Sequence, residues 1–94
     1  MIEPERRPEA IRERLTAAFA PDHLAIADDS HRHAGHAAAK GGGHFTVTLV
    51  ADAFAGKGLL ERHRMVHEAL SDLMADGTIH ALSIHASAPA ERSS

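Results

Sequence analysis

The chain has 94 residues, 44% of them apolar but only three aromatic, with no cysteine, tryptophan or tyrosine. That length suits one domain around one modest core of Leu, Ile, Val and Ala, and the missing thiols exclude a disulfide framework, thiol catalysis and any thiolate metal site made by this chain alone. A formal charge of −3 gives nucleic-acid binding no bulk support, and no apolar run approaches the ~20 residues that cross a bilayer.

The opening "MIEPERRPEA" is charged and proline-broken, unlike a signal peptide. The expectation is a cytoplasmic chain without a membrane segment, with residues 1–7 a flexible lead-in to a domain over 8–88. Residues 8–20 predict a helix: Pro8 suits its first turn, Glu9 favours the positive end of the dipole, and Ile11, Leu15, Ala18 and Phe19 fall on one stripe. Pro21 and Asp22 stop it. "HLAIAD" (23–28) predicts a short strand with Leu24 and Ile26 on one face.

A long loop follows over about 29–43, carrying "DDSHRHAGH" and closed by Gly41, Gly42 and Gly43, which read as a hinge. "HFTVTLVA" (44–51) alternates Phe45, Val47 and Leu49 against Thr46, Thr48 and Val50, the strand pattern. "DAFAGKG" is a turn with Phe54 as an apolar plug. Residues 59–75 predict a second long helix, with Leu59, His63, Val66, Leu70 and Leu73 on one face and Gly77 as its stop. "TIHALSIHA" (78–86) is the last strand; strict period two puts His80 with Leu82 and Ile84, and Ile79 opposite. Residues 89–94 read as a disordered tail.

The fold class is therefore α/β (α+β), in the order α-β-β-α-β, with a three-stranded mixed sheet and helices on one face. The first two strands form an antiparallel hairpin, and the crossover makes the last strand parallel to the second. The last strand then starts at the edge where the loop arrives, so His80 is expected near the histidine loop in space.

Nine histidines are the compositional outlier. His63, on an apolar stripe, reads as a partly buried structural residue with a hydrogen-bonded ring. His23, His67 and His85 read as surface residues, and His44 as a strand start facing solvent. The loop group His31, His33 and His36 is either an accident of an alanine- and histidine-rich segment or a metal-binding set, since neutral imidazole suits Zn, Cu and Fe. His33 with His80 makes a two-ligand, open site. Its remaining ligands would come from His31 or His36, from Asp28 or Asp29, or from a second protein. Zinc or copper held by the loop alone is a further alternative.

Catalysis finds little footing. Ser30 and His31 are sequence neighbours without a G-x-S-x-G frame, and Asp28 and Asp29 suit Asx-type turn bonds, so no enzyme is expected. For nucleic acid, "GKG" (56–58) opens a helix near Lys57, Arg62 and Arg64, with Arg32 and Lys40 in the loop. Arg62 and Arg64 diverge on a helix, however, and base-stacking aromatics are scarce.

"DDSHRHAGH", "HFTVTLV", "FAGKGLLERHRMVHEAL" and "IHALSIHA", in that order and spacing, resemble the BolA family from about Ile11 to Pro89. The resemblance implies a fold like the type II K-homology domain. It also implies a monothiol glutaredoxin partner and a [2Fe–2S] cluster shared with it, to which glutaredoxin and glutathione bring cysteine sulfurs. The BolA-like chain brings the histidine before its last strand, here His80, and a Cys or His from the loop, here His33 with His31 and His36 as alternatives. No cofactor is expected on the isolated chain, and a homodimer is an alternative assembly. The family's description as a transcription regulator of stress response and cell shape implies DNA binding through Lys57, Arg62 and Arg64. "AGKGLL" departs from the GXXG clamp of K-homology domains, having one residue between its glycines.

Overall fold

A computed structural model describes residues 1–30 and 41–92. Helix α1 (Arg7–Phe19) carries Pro8 in its first turn and ends at Ala20, which takes a left-handed backbone while its N–H still donates to the Thr16 carbonyl at 2.9 Å. Pro21 follows, so the chain turns directly into β1 (His23–Asp28), over the predicted residues. β2 (Gly43–Val50) is antiparallel to β1, pairing Leu24 with Leu49 and Ile26 with Val47. After a 3-10 turn at Asp52–Phe54 come α2 (Leu59–Ala69), α3 (Ser71–Ala75), β3 (Ile79–Ser87) and α4 (Pro89–Arg92). The sheet order is β1-β2-β3, with β2 and β3 parallel as the crossover requires.

One face of the sheet carries the core. Phe45, Val47, Leu49 and Ile84 pack with Ile11 and Leu15 of α1, Val66 of α2, Leu70, and Leu73 of α3. Phe54, the expected plug, is fully buried, and its ring centroid lies 5.0 Å from that of Phe19. The opposite face is polar and open, with Ala25, Ala27, Ser83 and His85 exposed. Helices on one face and polar residues on the other are what an antiparallel-edged sheet of this size needs.

Three expectations are corrected. The second helix is broken rather than continuous over 59–75: Leu70 (φ −106, ψ 14) leaves helical geometry, and its neighbours close with i→i+3 bonds such as Leu73 N–H to Leu70 O at 3.0 Å. Leu59, placed on the apolar stripe by spacing, is 71% exposed, so the buried stripe begins at Val66. In β3 the register jumps, Gly43 facing Ile79 and His44 facing Ala81, which leaves His80 as the extra residue of a β-bulge. Ile79 is consequently in the core with Ile84, while His80 is exposed, the reverse of the strict period-two reading.

The ends are fastened to the body. Residues 1–7 fold back as a 3-10 turn at Pro4–Arg6. The Ile2 N–H donates to Thr78 Oγ1 at 2.9 Å, and buried Arg7 donates from Nε to the Ile2 carbonyl at 2.6 Å. At the other end, α4 occupies much of the stretch read as a tail.

Candidate functional site

Three chain segments meet at one end of the sheet: the exit of β1, the entry of β2 and the entry of β3. Asp28 and Asp29 build the stem. Asp28 Oδ1 accepts the Ser30 N–H at 2.9 Å, the Asx-type bond expected of it, and Asp29 Oδ2 accepts the Thr46 hydroxyl at 2.7 Å. The Asp29 N–H donates to the His44 carbonyl at 2.7 Å, and the His44 N–H donates to Ser30 Oγ at 3.0 Å. Both sides of the His44 backbone are thereby fixed.

The entry of β3 is fixed in the same manner. Gly77 takes a left-handed turn (φ +85). Asp76 Oδ1 then accepts the Thr78 N–H at 2.8 Å, and hydrogen bonding from Thr78 holds the Asp76 carboxyl below its ordinary range. The Thr78 carbonyl accepts the Gly43 N–H at 2.9 Å, locking the two strand starts side by side. The bulge then projects His80 out of the ladder, and its ring centroid lies 5.2 Å from that of His44, with the ring planes at 45°.

His33, with its alternatives His31 and His36, lies outside the described residues, as do Arg32 and Lys40. His80 stands at the edge where the loop returns, and the imidazole it meets there is His44, which spacing alone had left facing solvent. The missed signal was the parallel register: once two strands start together, their first side chains become neighbours. Gly43, expected in a hinge with Gly41 and Gly42, is a buried strand residue. A Cβ there would strike the Phe45 ring and come within 3.0 Å of Ser30 Oγ. Gly41 (φ +87) keeps the turn role.

The basic residues divide. Arg62 is drawn inward: Nη1 and Nη2 meet Glu91 Oε1 and Oε2 at 2.7 and 2.6 Å, Nη1 also donates to the Ala86 carbonyl, and Nε donates to the Lys57 carbonyl. The guanidinium holds the Glu91 carboxyl down to about 2. Lys57 pairs with Glu61 at 3.8 Å, and Arg64 is exposed on α2. His63 is half-buried as expected, but the hydrogen bond expected of its ring is missing at Nε2, which is buried without a partner among the described residues.

Chemically, this end of the sheet offers imidazole nitrogen with no thiolate. Among the described residues no group of three or more His, Cys, Asp or Glu converges to hold a metal, so a metal here would need ligands from elsewhere. Nor is any helix among the described residues long and apolar enough to cross a membrane.

A model of the family described as BolA-like protein matches residues 15–91. The chain belongs to the BolA-like family. It is 43% identical over 77 residues to the DNA-binding transcriptional regulator BolA of Escherichia coli, covering 82% of this chain and 70% of that protein. It is 45% identical over 87 residues to SufE-like protein 1 of Arabidopsis thaliana, covering 86% of this chain but only 23% of that protein. The solved BolA domain of SufE1 from Arabidopsis superposes with a TM-score of 0.81 at 45% identity, covering 90% of this chain and 94% of that one. Mouse BolA1 in solution gives 0.74 at 42% identity, covering 90% and 67%. The BolA-like fold thus accounts for the sheet order and the helices described above.

Proposed function

We propose that this BolA-like chain is a non-enzymatic adaptor that binds a monothiol glutaredoxin and completes a [2Fe–2S] cluster shared with it, in iron–sulfur trafficking or iron-linked regulation. The observation that carries the reading is the exposed His80 imidazole, pushed out of β3 by a bulge at the mouth of the histidine loop. The donor set fits one half of such a site. A chain without cysteine cannot retain a cluster alone, but imidazoles can complete one whose other ligands are thiolates.

His80 is the fixed ligand, because the Thr78–Gly43 bond and the Asp76 turn hold its backbone. His33, from the loop, is the second, with His31 or His36 as substitutes. Glutathione arrives with the partner. A cluster bound through histidine has a higher reduction potential than an all-thiolate one. Imidazole ligates only when neutral, so metal binding competes with protonation and assembly weakens in acid. Co-purification with a monothiol glutaredoxin tests the reading: a stable complex carrying iron and sulfide supports it, and a glutaredoxin cluster that ignores this chain sinks it.

A second reading, a DNA-binding regulator, rests on the name of the Escherichia coli relative, which shares 43% of aligned residues over 70% of its length. Lys57 and Arg64 would carry phosphate contacts, while Arg62 is already committed to Glu91. A salt titration of DNA affinity separates the readings, since phosphate contacts give a steep negative slope.

A further inference from the structure

The geometry points to a divalent-metal site formed by His44 and His80 on the isolated chain, taking a borderline ion such as Zn2+, Ni2+ or Cu2+. Two imidazoles bound to one ion at about 2.1 Å per nitrogen have ring centroids roughly 5 Å apart. The centroids of His44 and His80 are 5.2 Å apart before any ion is bound. The ring spacing therefore already matches that of a two-imidazole site.

The backbone supports this in two independent ways. An inserted residue in a strand disrupts pairing, and bulges recur where a side chain must be re-aimed; here the re-aimed residue is His80 and the ring it meets is an imidazole. His44 is held from both sides by Ser30 and Asp29, so its Cα cannot drift from its partner. Asp28 and Asp29, engaged in the stem, add negative charge at the same end of the sheet.

Neutral imidazole prefers Zn2+, Ni2+ and Cu2+ over the hard cations Mg2+ and Ca2+, which take oxygen ligands. Two protein ligands leave the remaining positions to water, so the site is open rather than closed and structural. It differs from capture by the loop alone, which would survive the loss of His80. It also stands apart from the shared-cluster reading, since its test needs no glutaredoxin and either can fail without the other.

The experiment is a calorimetric titration of Zn2+ into the 94-residue chain. Wild type is compared with His44→Ala, His44→Gln, His80→Ala and a variant with His31, His33 and His36 all changed to alanine. Circular dichroism confirms that each is folded. The loop variant is expected to retain the wild-type affinity. Each change at His44 or His80 should weaken binding by at least the roughly 10- to 100-fold that losing a supporting residue of a metal site costs. Absence of Zn2+ uptake by wild type, wild-type affinity in any folded His44 or His80 variant, or loss of binding in the loop variant would each overturn the assignment.

Discussion

Arg62 of α2 and Glu91 of α4 meet in a two-pronged ion pair at 2.7 and 2.6 Å, with Arg62 also donating to the Ala86 carbonyl on β3. One guanidinium thus ties together the second helix, the last strand and the end of the described chain. Glu91 adds to the knot by accepting the Ala88 N–H at 3.1 Å.

The pair has a pH signature. Glu91 is lowered from 4.5 to about 2 by the Arg62 hydrogen bonds first and the Ala88 N–H second. A carboxylate whose folded pKa is depressed stabilises the fold fully above its unfolded value and loses that contribution as pH falls through the folded one. The stability difference between wild type and Glu91→Gln should therefore be constant above about pH 5 and shrink steadily towards pH 2. Denaturant midpoints across that range check it. Hydrogen exchange at the Glu91 amide, which donates to the Ala88 carbonyl at 3.0 Å, should quicken in the variant.

Gly43→Ala should destabilise the fold by about 1–3 kcal/mol, the usual range for forcing atoms into a packed site. The new methyl would meet the Phe45 ring and Ser30 Oγ, and Ser30 in turn holds the His44 N–H. Thermal melting measures the loss, and metal or cluster binding should weaken with it because the His44 backbone shifts.

Phe54→Ala should cost about 3–5 kcal/mol, as for other buried phenylalanines. The side chain has no exposure and contacts Phe19 across the helix–turn junction. Urea unfolding should show the drop without any change in His44 or His80 chemistry.

Any complex with DNA should depend on Lys57 and Arg64 rather than Arg62. Replacing either exposed residue by glutamine should flatten the log–log salt slope by about one. Arg62→Gln should instead lower stability with little effect on that slope, because its charge is engaged by Glu91. Binding isotherms at four salt concentrations distinguish the two outcomes.

Local patterns carried most of the architecture. Alternation in "HLAIAD" and "HFTVTLV" located β1 and β2, and the crossover rule gave β3 its direction. Phe54 was recognisable as a lone aromatic in a turn. What escaped were features set by tertiary context. A bulge adds one residue and flips every face beyond it, so period two assigned Ile79 and His80 to the wrong sides. The break at Leu70 has no glycine or proline to announce it. Arg62 read as a free basic residue because its partner lies 29 positions away, in a segment whose composition suggested disorder. His80 was legible at the loop's edge from topology, whereas its neighbour His44 needed the register of two parallel strands.

Under the proposed function, His80 supplies a ligand to a cluster held with a monothiol glutaredoxin. The most direct measurement is visible circular dichroism of the complex reconstituted anaerobically with glutathione, iron and sulfide, comparing wild type, His80→Ala and His33→Ala. Wild type should change the glutaredoxin cluster spectrum, and His80→Ala should leave it as glutaredoxin alone gives it. A wild-type chain that does not alter the spectrum, or a His80→Ala variant that alters it as wild type does, would contradict the account.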